Sequence, residues 1–382
     1  MRAQSRSTLA LVLAPLVLVW CAWLFLDPRH SPNFYDYSVY ARAGNQAVAH
    51  ETVYQVLDPH FQFKYAPSVA LIFGATISRL PNDVGPWVFS AFNAVLWILL
   101  FSLISGRAWE RLVKRQPSPA SMALLPLIAA FFYAMPLRDE LKLGQTNAIP
   151  FLALYFVFDL ERRGARSAWL RGLCFSIAVQ FKLYTLLAAP TLILRRQWQV
   201  LAWALGWTLA INGLGLAAYH GGEFALSENL AWIRSLFASS SDLVTMIFNI
   251  SLLGTMSREF GVVAGWTALI AALGGFLWAQ YRVRREDPFF QFALVTAAVP
   301  VLNPIAWPYW MLLSFPAFTI VLVRILDRGI EKDRLISVGL AVALPGALLQ
   351  NTPYGLEGFC LLGNAAMCLT LFAAWPHSKT YA

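Results

Sequence analysis

The chain alternates between long apolar runs and shorter polar stretches. Thirteen apolar runs of spanning or near-spanning length can be drawn, at Thr8–Leu26, Pro67–Leu80, Val84–Ser105, Ser121–Met135, Gln145–Leu160, Leu170–Phe181, Tyr184–Leu194, Val200–Tyr219, Val262–Tyr281, Phe289–Leu302, Tyr309–Ile325, Leu335–Leu349 and Leu356–Trp375. A helix of about 20 apolar residues crosses the hydrocarbon core of a bilayer. The pattern therefore predicts an all-α polytopic membrane protein.

The basic residues indicate which runs cross the membrane. They cluster at Arg107–Arg115, Arg162–Arg171, Arg195 and Arg196, Arg282–Arg285, and Arg324–Arg334. Lys and Arg concentrate in cytoplasmic loops, so these clusters should share one side with the N-terminus. That arrangement requires Pro67–Leu80, which is short and starts with proline, to lie at the outer interface instead of crossing. We expect about twelve spanning helices, an uncleaved first helix and both termini in the cytoplasm.

Composition agrees with a membrane protein and argues against several other classes. The 382 residues are 58% hydrophobic and 13% charged, whereas soluble proteins average about 45–50% and about 25%. The net charge of +9 follows membrane topology, so nucleic acid is not expected as a partner. There is no Asp-x-Asp motif or His/Cys cluster, and His50 and His60 are isolated in the sequence, so no metal is expected.

The predicted first outer loop, residues 27–83, carries the first candidate for chemistry. Asp36 lies among the aromatic residues Phe34, Tyr35, Tyr37 and Tyr40. One interpretation makes Asp36 a solvated loop residue or the N-cap of a helix over Tyr37–Ala49. The other makes it a catalytic base at the mouth of a membrane cavity, where loss of water tunes its proton affinity.

Lys182 is the second candidate, because it interrupts the apolar stretch Leu170–Leu194. This stretch forms either one helix or, as the basic residues favour, two short helices that meet at Lys182. Two such helices are too short to cross about 30 Å of hydrocarbon at about 1.5 Å per residue. Lys182 should therefore lie at the floor of a cavity that opens outward, which is a functional-site hypothesis for any deep membrane cation. The alternatives are snorkelling to the interface or pairing with Asp139 or Glu140.

A cavity with a deep lysine, an arginine and one carboxylate suits an anionic lipid-linked substrate. Cations such as Lys182, Arg138 and Arg258 would hold a phosphate, and the carboxylate would accept a proton from an attacking hydroxyl. One carboxylate suffices for an inverting displacement when the leaving phosphate needs no protonation, whereas glycoside hydrolysis uses two.

Several segments resemble one family of enzymes. They are FYDYSVYARAG with VYQVLDPHFQFKYAPSVALIF, LKLGQTNAIPFLAL, WLRGLCFSIAVQFKLYTLLAAPTLILRRQW, and FNISLLG with NPIAWPYWMLL. Together they resemble the polyprenyl-phosphate-sugar-dependent membrane glycosyltransferases of the GT-C fold, closest to glycosyltransferase family 87. The resemblance implies that Asp36 is the catalytic base, that Lys182 holds the donor phosphate, and that Gln145 and Asn147 line the site.

The rest of the predicted substrate-binding set lies on the same outer face and comprises Arg138, Arg258, Tyr184 and Trp307. Related enzymes often carry a histidine near NPIAWPYW. This chain has Pro308, Tyr309 and Trp310 there, so no histidine is assigned a role.

The expected function is that of an inverting glycosyltransferase in the cell membrane. It would move a hexose, such as mannose, from a polyprenyl-phosphate donor to a lipid-linked or cell-envelope glycan acceptor on the extracytoplasmic face, with membrane lipids as neighbours and no cofactor besides the donor. The alternatives are a polymerase or ligase of lipid-linked glycans, and a flippase or transporter, which would need polar groups across the whole membrane. We expect a single domain over 1–382, with a GT-C core in 1–220 and helices in 221–382 that complete the cavity.

Overall fold

The computed structural model describes residues 33–54, 62–113, 125–128, 131–238 and 241–328, together with residue 363. Within these ranges all regular secondary structure is helical. The α-helices are α1 (Tyr35–Val48), α2 (Pro67–Ala75), α3 (Gly85–Leu112), α4 (Ala134–Leu143), α5 (Ala148–Asp159), α6 (Ala168–Phe181), α7 (Ala189–Leu194), α8 (Trp198–Thr208), α9 (Leu216–His220), α10 (Gly222–Ala238), α11 (Ser241–Val244), α12 (Leu252–Phe260), α13 (Val262–Arg282), α14 (Pro288–Leu302) and α15 (Phe315–Arg328). The predicted all-α class is confirmed for this part of the chain.

Three helices among the described residues are long and apolar enough to cross a membrane. They are Gly85–Leu112, Trp198–His220, in which α8 and α9 are joined by the π-helix Leu209–Gly215, and Val262–Arg282. Helix α13 exposes large apolar side chains such as Val263 and Ile270, as expected of a surface that faces lipid. The count of twelve spans stays a prediction, since Thr8–Leu26, Leu335–Leu349, most of Leu356–Trp375 and part of Ser121–Met135 lie outside the described residues.

Two predicted boundaries agree closely with the structure. Helix α2 begins at Pro67, with the proline at the first helical position, where its missing N–H removes no hydrogen bond. The stretch Leu170–Leu194 is divided at Lys182, whose backbone is extended (φ −150°, ψ 113°) between α6 and a 3₁₀ segment, Leu183–Ala188, that leads into α7. Of the two alternatives for this stretch, the structure therefore shows the divided one.

The described residues form two compact units. Unit 2 comprises Pro32–Leu96 and Glu140–Val244. Its apolar core is built on aromatic rings, with Tyr40 stacked on Phe73 at a centroid distance of 5.1 Å and Phe181 at 6.1 Å from Phe73. Helices α1 and α2 approach closely where Gly44 meets Gly74, because a Cβ atom on Gly74 would lie only 2.5 Å from the Gly44 carbonyl oxygen. This close approach fixes the position of α1, the helix that carries Asp36, against α2.

Unit 1 contains Trp97–Asp139 and the described residues from Thr245 onward. Helix α14 is buried on all sides along most of its length, as an apolar helix in a core should be. Phe101 and Phe315 pack edge to face at a centroid distance of 4.5 Å, and Arg111 pairs with Asp287 at 3.2 Å. The predicted single domain, with its division at residue 220, stays a prediction.

Candidate active site

Asp36 lies in the first turn of α1, where the helix dipole favours a carboxylate. The helix begins at Tyr35 with Phe34 as its N-cap, so the interpretation of Asp36 as the N-cap of Tyr37–Ala49 is wrong. Phe34 has a left-handed backbone (φ 47°), an unfavourable conformation for a bulky residue. Its N–H donates to the Lys142 carbonyl at 3.0 Å, and its ring packs edge-on against Trp87. These contacts hold the start of α1 in place.

A tight turn between α4 and α5 brings Gln145 to Asp36. Gly144 has φ +72°, and a Cβ atom there would lie 2.8 Å from the Tyr37 Cβ, so glycine meets both the backbone and the space requirement. The Gln145 N–H donates to the Glu140 carbonyl at 2.9 Å. The sequence Gly-Gln-Thr-Asn therefore forms a compact turn against α1.

The Gln145 side chain bridges Asp36 and Lys182. Its Nε2 donates to the Asp36 Oδ2 at 2.5 Å, and its Oε1 accepts from the Lys182 Nζ at 3.2 Å. An amide has one donor end and one acceptor end, so this orientation serves a carboxylate and an ammonium at once. The interruption of the helix at Lys182 places the ammonium within reach of the amide.

Aromatic hydroxyls form the wall beside Lys182. The Lys182 Nζ lies 4.8 Å from the centroid of the Tyr65 ring, a cation–π distance. The Tyr65 hydroxyl is 2.6 Å from that of Tyr40 and accepts from the Thr146 Oγ1 at 3.0 Å. The ammonium is thus bordered by a ring face and a hydroxyl network.

A second carboxyl group, Glu140, lies fully buried behind the turn. Its Oε1 accepts from the Asn147 N–H at 2.9 Å and its Oε2 from the Asn147 Nδ2 at 2.7 Å. The Asn147 Oδ1 accepts from the Tyr184 hydroxyl at 3.3 Å. Two of the predicted site residues, Asn147 and Tyr184, are therefore hydrogen-bonded to each other, and Asn147 also binds the Glu140 carboxylate, which was expected only as a partner for Lys182.

Burial and charge shift the pKa values of three groups in this region. Burial raises the pKa of Asp36, while the Lys182 charge, the Gln145 hydrogen bond and the Lys64 charge oppose that rise. The pKa of Lys64 is lowered to about 8, by burial first and then by Lys182, with Asp36 opposing. The pKa of Glu140 is raised to about 7, chiefly by burial. Perturbed groups gathered in one place are typical of functional sites.

The predicted residues divide between the two units. Asp36, Gln145 and Lys182 come together in unit 2, and Asn147 and Tyr184 lie in the same unit. In unit 1, Arg138 pairs with Asp139 at 2.8 Å, and the Arg258 Nη1 donates to the Met246 and Asn249 carbonyls at 2.7 and 2.8 Å. Trp307 is the N-cap of the 3₁₀ helix Pro308–Ser314. Substrate-binding roles for Arg138, Arg258 and Trp307 stay predictions.

Sequence reasoning missed Lys64, Tyr65 and Glu140 as members of the site. Lys64 and Tyr65 immediately precede the Ala66-Pro67 start of α2, and this position beside a helix start was the available signal. Glu140 is seven residues before Asn147 across a glycine turn, a spacing that has no meaning until the turn is known.

Within the part of the chain that the structure describes, no group of three or more His, Cys, Asp or Glu residues could hold a metal ion. His50 is nevertheless not isolated, because its Nδ1 lies 2.6 Å from the Nδ1 of His220. His50, which is isolated in the sequence, therefore has a second histidine beside it in the fold. His60 lies outside the described residues.

The chain is similar to a known family and to a characterised enzyme. The model of glycosyltransferase family 87 matches residues 63–304, a range that includes Lys64, Glu140, Gln145 and Lys182 and begins after Asp36. The polyprenol-phosphate-mannose-dependent alpha-(1-2)-phosphatidylinositol mannoside mannosyltransferase of Mycolicibacterium smegmatis is 24% identical over 306 residues, which cover 74% of this chain and 67% of that protein.

The family match covers more than half of the chain. It includes the Gly-Gln-Thr-Asn turn and the break at Lys182, two of the segments on which the sequence resemblance rested. The chain belongs to glycosyltransferase family 87 and is a glycosyltransferase.

Proposed function

We propose that this enzyme is an inverting hexosyltransferase that uses a polyprenyl-phosphate sugar, with mannose as the first candidate. The acceptor is a lipid-linked or cell-envelope glycan on the extracytoplasmic face of the cell membrane. The observation that carries the proposal is the Gln145 bridge, which holds one carboxylate and one ammonium in a single hydrogen-bonded group. The printed name of the relative, a polyprenol-phosphate-mannose-dependent enzyme that acts on a phosphatidylinositol mannoside, supports this choice of donor and a glycolipid acceptor.

Asp36 acts as the general base in this mechanism. The carboxylate accepts the proton of an acceptor hydroxyl while the hydroxyl oxygen forms a bond to the anomeric carbon of the donor sugar. The bond between that carbon and the phosphate oxygen breaks on the opposite face, which inverts the anomeric configuration. The raised pKa of Asp36 strengthens the base, and the Gln145 amide fixes the position of its Oδ2.

Lys182 and Lys64 stabilise the departing phosphate. In the bond-breaking step, negative charge grows on the phosphate that remains attached to the polyprenyl chain, and nearby cations stabilise that growing charge. Lys64 and Lys182 are close enough that the Lys182 charge lowers the pKa of Lys64. An anionic phosphate between them relieves this repulsion, so donor binding and the charge of Lys64 favour each other.

The test is sugar transfer in membranes from a panel of radiolabelled polyprenyl-phosphate sugars, with Asp36→Asn as the blank. The substitution keeps the shape of the side chain and removes the base, so we expect transfer to fall by about 10²- to 10⁴-fold. Asp83→Asn, at an exposed carboxylate in the same unit, controls for a general effect of lost charge and should keep the wild-type rate. An Asp36→Asn enzyme that transfers sugar at the wild-type rate would contradict the assignment.

A further inference from the structure

Glu140 is a buried carboxylate whose position the proposed reaction does not by itself explain. Its side chain is 0% exposed, and taking a charge out of water is costly unless hydrogen bonds compensate. The described structure supplies that compensation from Asn147, which donates both its backbone N–H and its side-chain amide to the carboxylate. The two carboxylate oxygens of Glu140 therefore bind Asn147 through both its backbone and its side chain.

Asn147 is the N-cap of α5, yet its side chain makes no capping hydrogen bond. The amide is turned toward Glu140, and this orientation leaves the Asn147 Oδ1 to accept from the Tyr184 hydroxyl. Tyr184 lies two residues after Lys182, in the 3₁₀ segment that follows the interruption of the helix. The chain of contacts thus runs from Glu140 to the backbone segment that carries Lys182.

The main chain of Glu140 also binds Gln145, the residue that bridges Asp36 and Lys182. The Glu140 carbonyl accepts from the Gln145 N–H at 2.9 Å, and Gln145 is the residue that contacts both Asp36 and Lys182. One residue therefore restrains the turn that carries the bridging amide and the segment that carries the bridged ammonium. The other charged or titratable groups that act on this carboxyl are Lys182 and Asp36, and the carboxyl itself acts on Tyr184.

We propose that Glu140 is a positioning residue for the transfer reaction. It fixes Gln145 relative to Asp36 through its backbone carbonyl, and it fixes the segment that carries Lys182 through Asn147 and Tyr184. This inference rests on the proposed function. It assigns Glu140 no contact with substrate, and it assigns Asn147 and Tyr184 a share in the same positioning.

The test is the variant Glu140→Gln together with the double variant Glu140→Gln/Asn147→Asp. Glutamine offers one acceptor and one donor where glutamate offers two acceptors. The Asn147 amide then has to turn over, which takes its Oδ1 away from Tyr184. We expect kcat to fall by about 10- to 100-fold, the scale of a displacement of about 1 Å at reacting groups. The loss should fall on kcat more than on KM for the donor, because the affected contacts strengthen in the transition state.

The double variant exchanges the carboxylate and the amide between the two positions. The introduced glutamine amide at position 140 then accepts from the backbone N–H of position 147 and donates to the introduced carboxylate there, whose second oxygen accepts from Tyr184. Recovery of kcat to within about threefold of wild type, well inside the expected single-variant loss, supports positioning. A double variant as slow as the single one, or a single variant with wild-type kcat, overturns it.

Tyr184→Phe keeps the inference testable if the Glu140 variants fail to fold, since it removes only a hydroxyl. A lowered kcat is expected, and wild-type kinetics would overturn the link to Lys182. Failure of this inference differs from failure of the proposed function. In the first case Asp36→Asn is inactive and Glu140→Gln is fully active, whereas in the second case the wild type transfers no sugar from any polyprenyl-phosphate donor, and the positioning role falls with it.

Discussion

The Asp36 carboxylate is subject to opposing influences from its neighbours. Burial raises its pKa, whereas the charge of Lys182, the hydrogen bond from Gln145 and the charge of Lys64 lower it. A base must be ionised to accept a proton, so these neighbours set the pH below which the free enzyme loses activity. The neighbours can be changed one at a time.

Removal of the Lys182 charge should move the acidic limb of the pH profile of kcat/KM to higher pH. In Lys182→Met the Asp36 pKa loses the largest influence that lowers it, so protonation inactivates the base at a higher pH than in the wild type. The measurement is kcat/KM for the donor across the acidic range. Lys182→Arg keeps the charge and should leave the limb nearer its original position, and equal limbs in wild type and Lys182→Met would contradict the electrostatic coupling.

Lys64 should control the alkaline limb. With a pKa of about 8, Lys64 is cationic below that pH and neutral above it, so kcat/KM for an anionic donor should decline as pH rises through about 8 in the wild type. Arginine stays charged throughout this range, and in Lys64→Arg the decline should therefore move to higher pH or disappear. Identical alkaline profiles for the two enzymes would show that Lys64 does not meet the phosphate.

At the scale of elements, the contact between α1 and α2 determines where Asp36 lies. Gly44 and Gly74 let the two helices approach so closely that neither glycine position has space for a methyl group. The Ser78 hydroxyl, just beyond α2, donates to the Ala41 carbonyl of α1 at 2.9 Å, and the Tyr37 hydroxyl donates to the Ile77 carbonyl at 3.1 Å. The orientation of α1 therefore depends on this contact along its length.

Gly74→Ala should destabilise the protein and lower kcat together. The added Cβ atom would lie 2.5 Å from a backbone oxygen, and overpacking of this kind costs about 1–3 kcal/mol. The readouts are the thermal midpoint in detergent and the rate of sugar transfer. Gly206→Ala is the matched control, because it lies inside α8 with open space around the added atom and should raise helix stability by up to about 1 kcal/mol. Equal midpoints for the two variants would contradict the close approach of α1 and α2.

At the scale of the whole molecule, charge predicts the orientation of the chain in the membrane. Glu51 follows the helix that carries Asp36, and Arg163 belongs to the basic group between α5 and α6. Both residues are exposed within unit 2, so burial does not decide whether a reagent reaches them. The positive-inside rule places Arg163 in the cytoplasm and Glu51 outside.

Single-cysteine variants test this orientation in a background in which Cys21, Cys174, Cys360 and Cys368 are replaced by serine or alanine. In intact cells an impermeant thiol reagent should label the Glu51→Cys variant and spare the Arg163→Cys variant until the membrane is opened. Labelling of the Arg163→Cys variant from outside would reverse the proposed face of the active site.

The amino-acid sequence alone determined the features that depend on neighbours along the chain. The helical class follows from the apolar runs, and the start of α2 follows from Pro67. The interruption of the helix at Lys182 follows from a lysine inside an apolar stretch. Each of these features depends on local composition and backbone preference. The family assignment follows in the same way from short segments such as the Gly-Gln-Thr-Asn turn.

Contacts between side chains that are distant in the sequence follow from the folded arrangement of the helices. Gln145 contacts Asp36 and Lys182 across separations of 109 and 37 residues, and no periodicity carries information over such distances. The same holds for the Gly44–Gly74 contact and for the way in which Asn147 satisfies Glu140. A buried charge is tolerated only where donors from other segments surround it, and such an environment exists only in the folded chain.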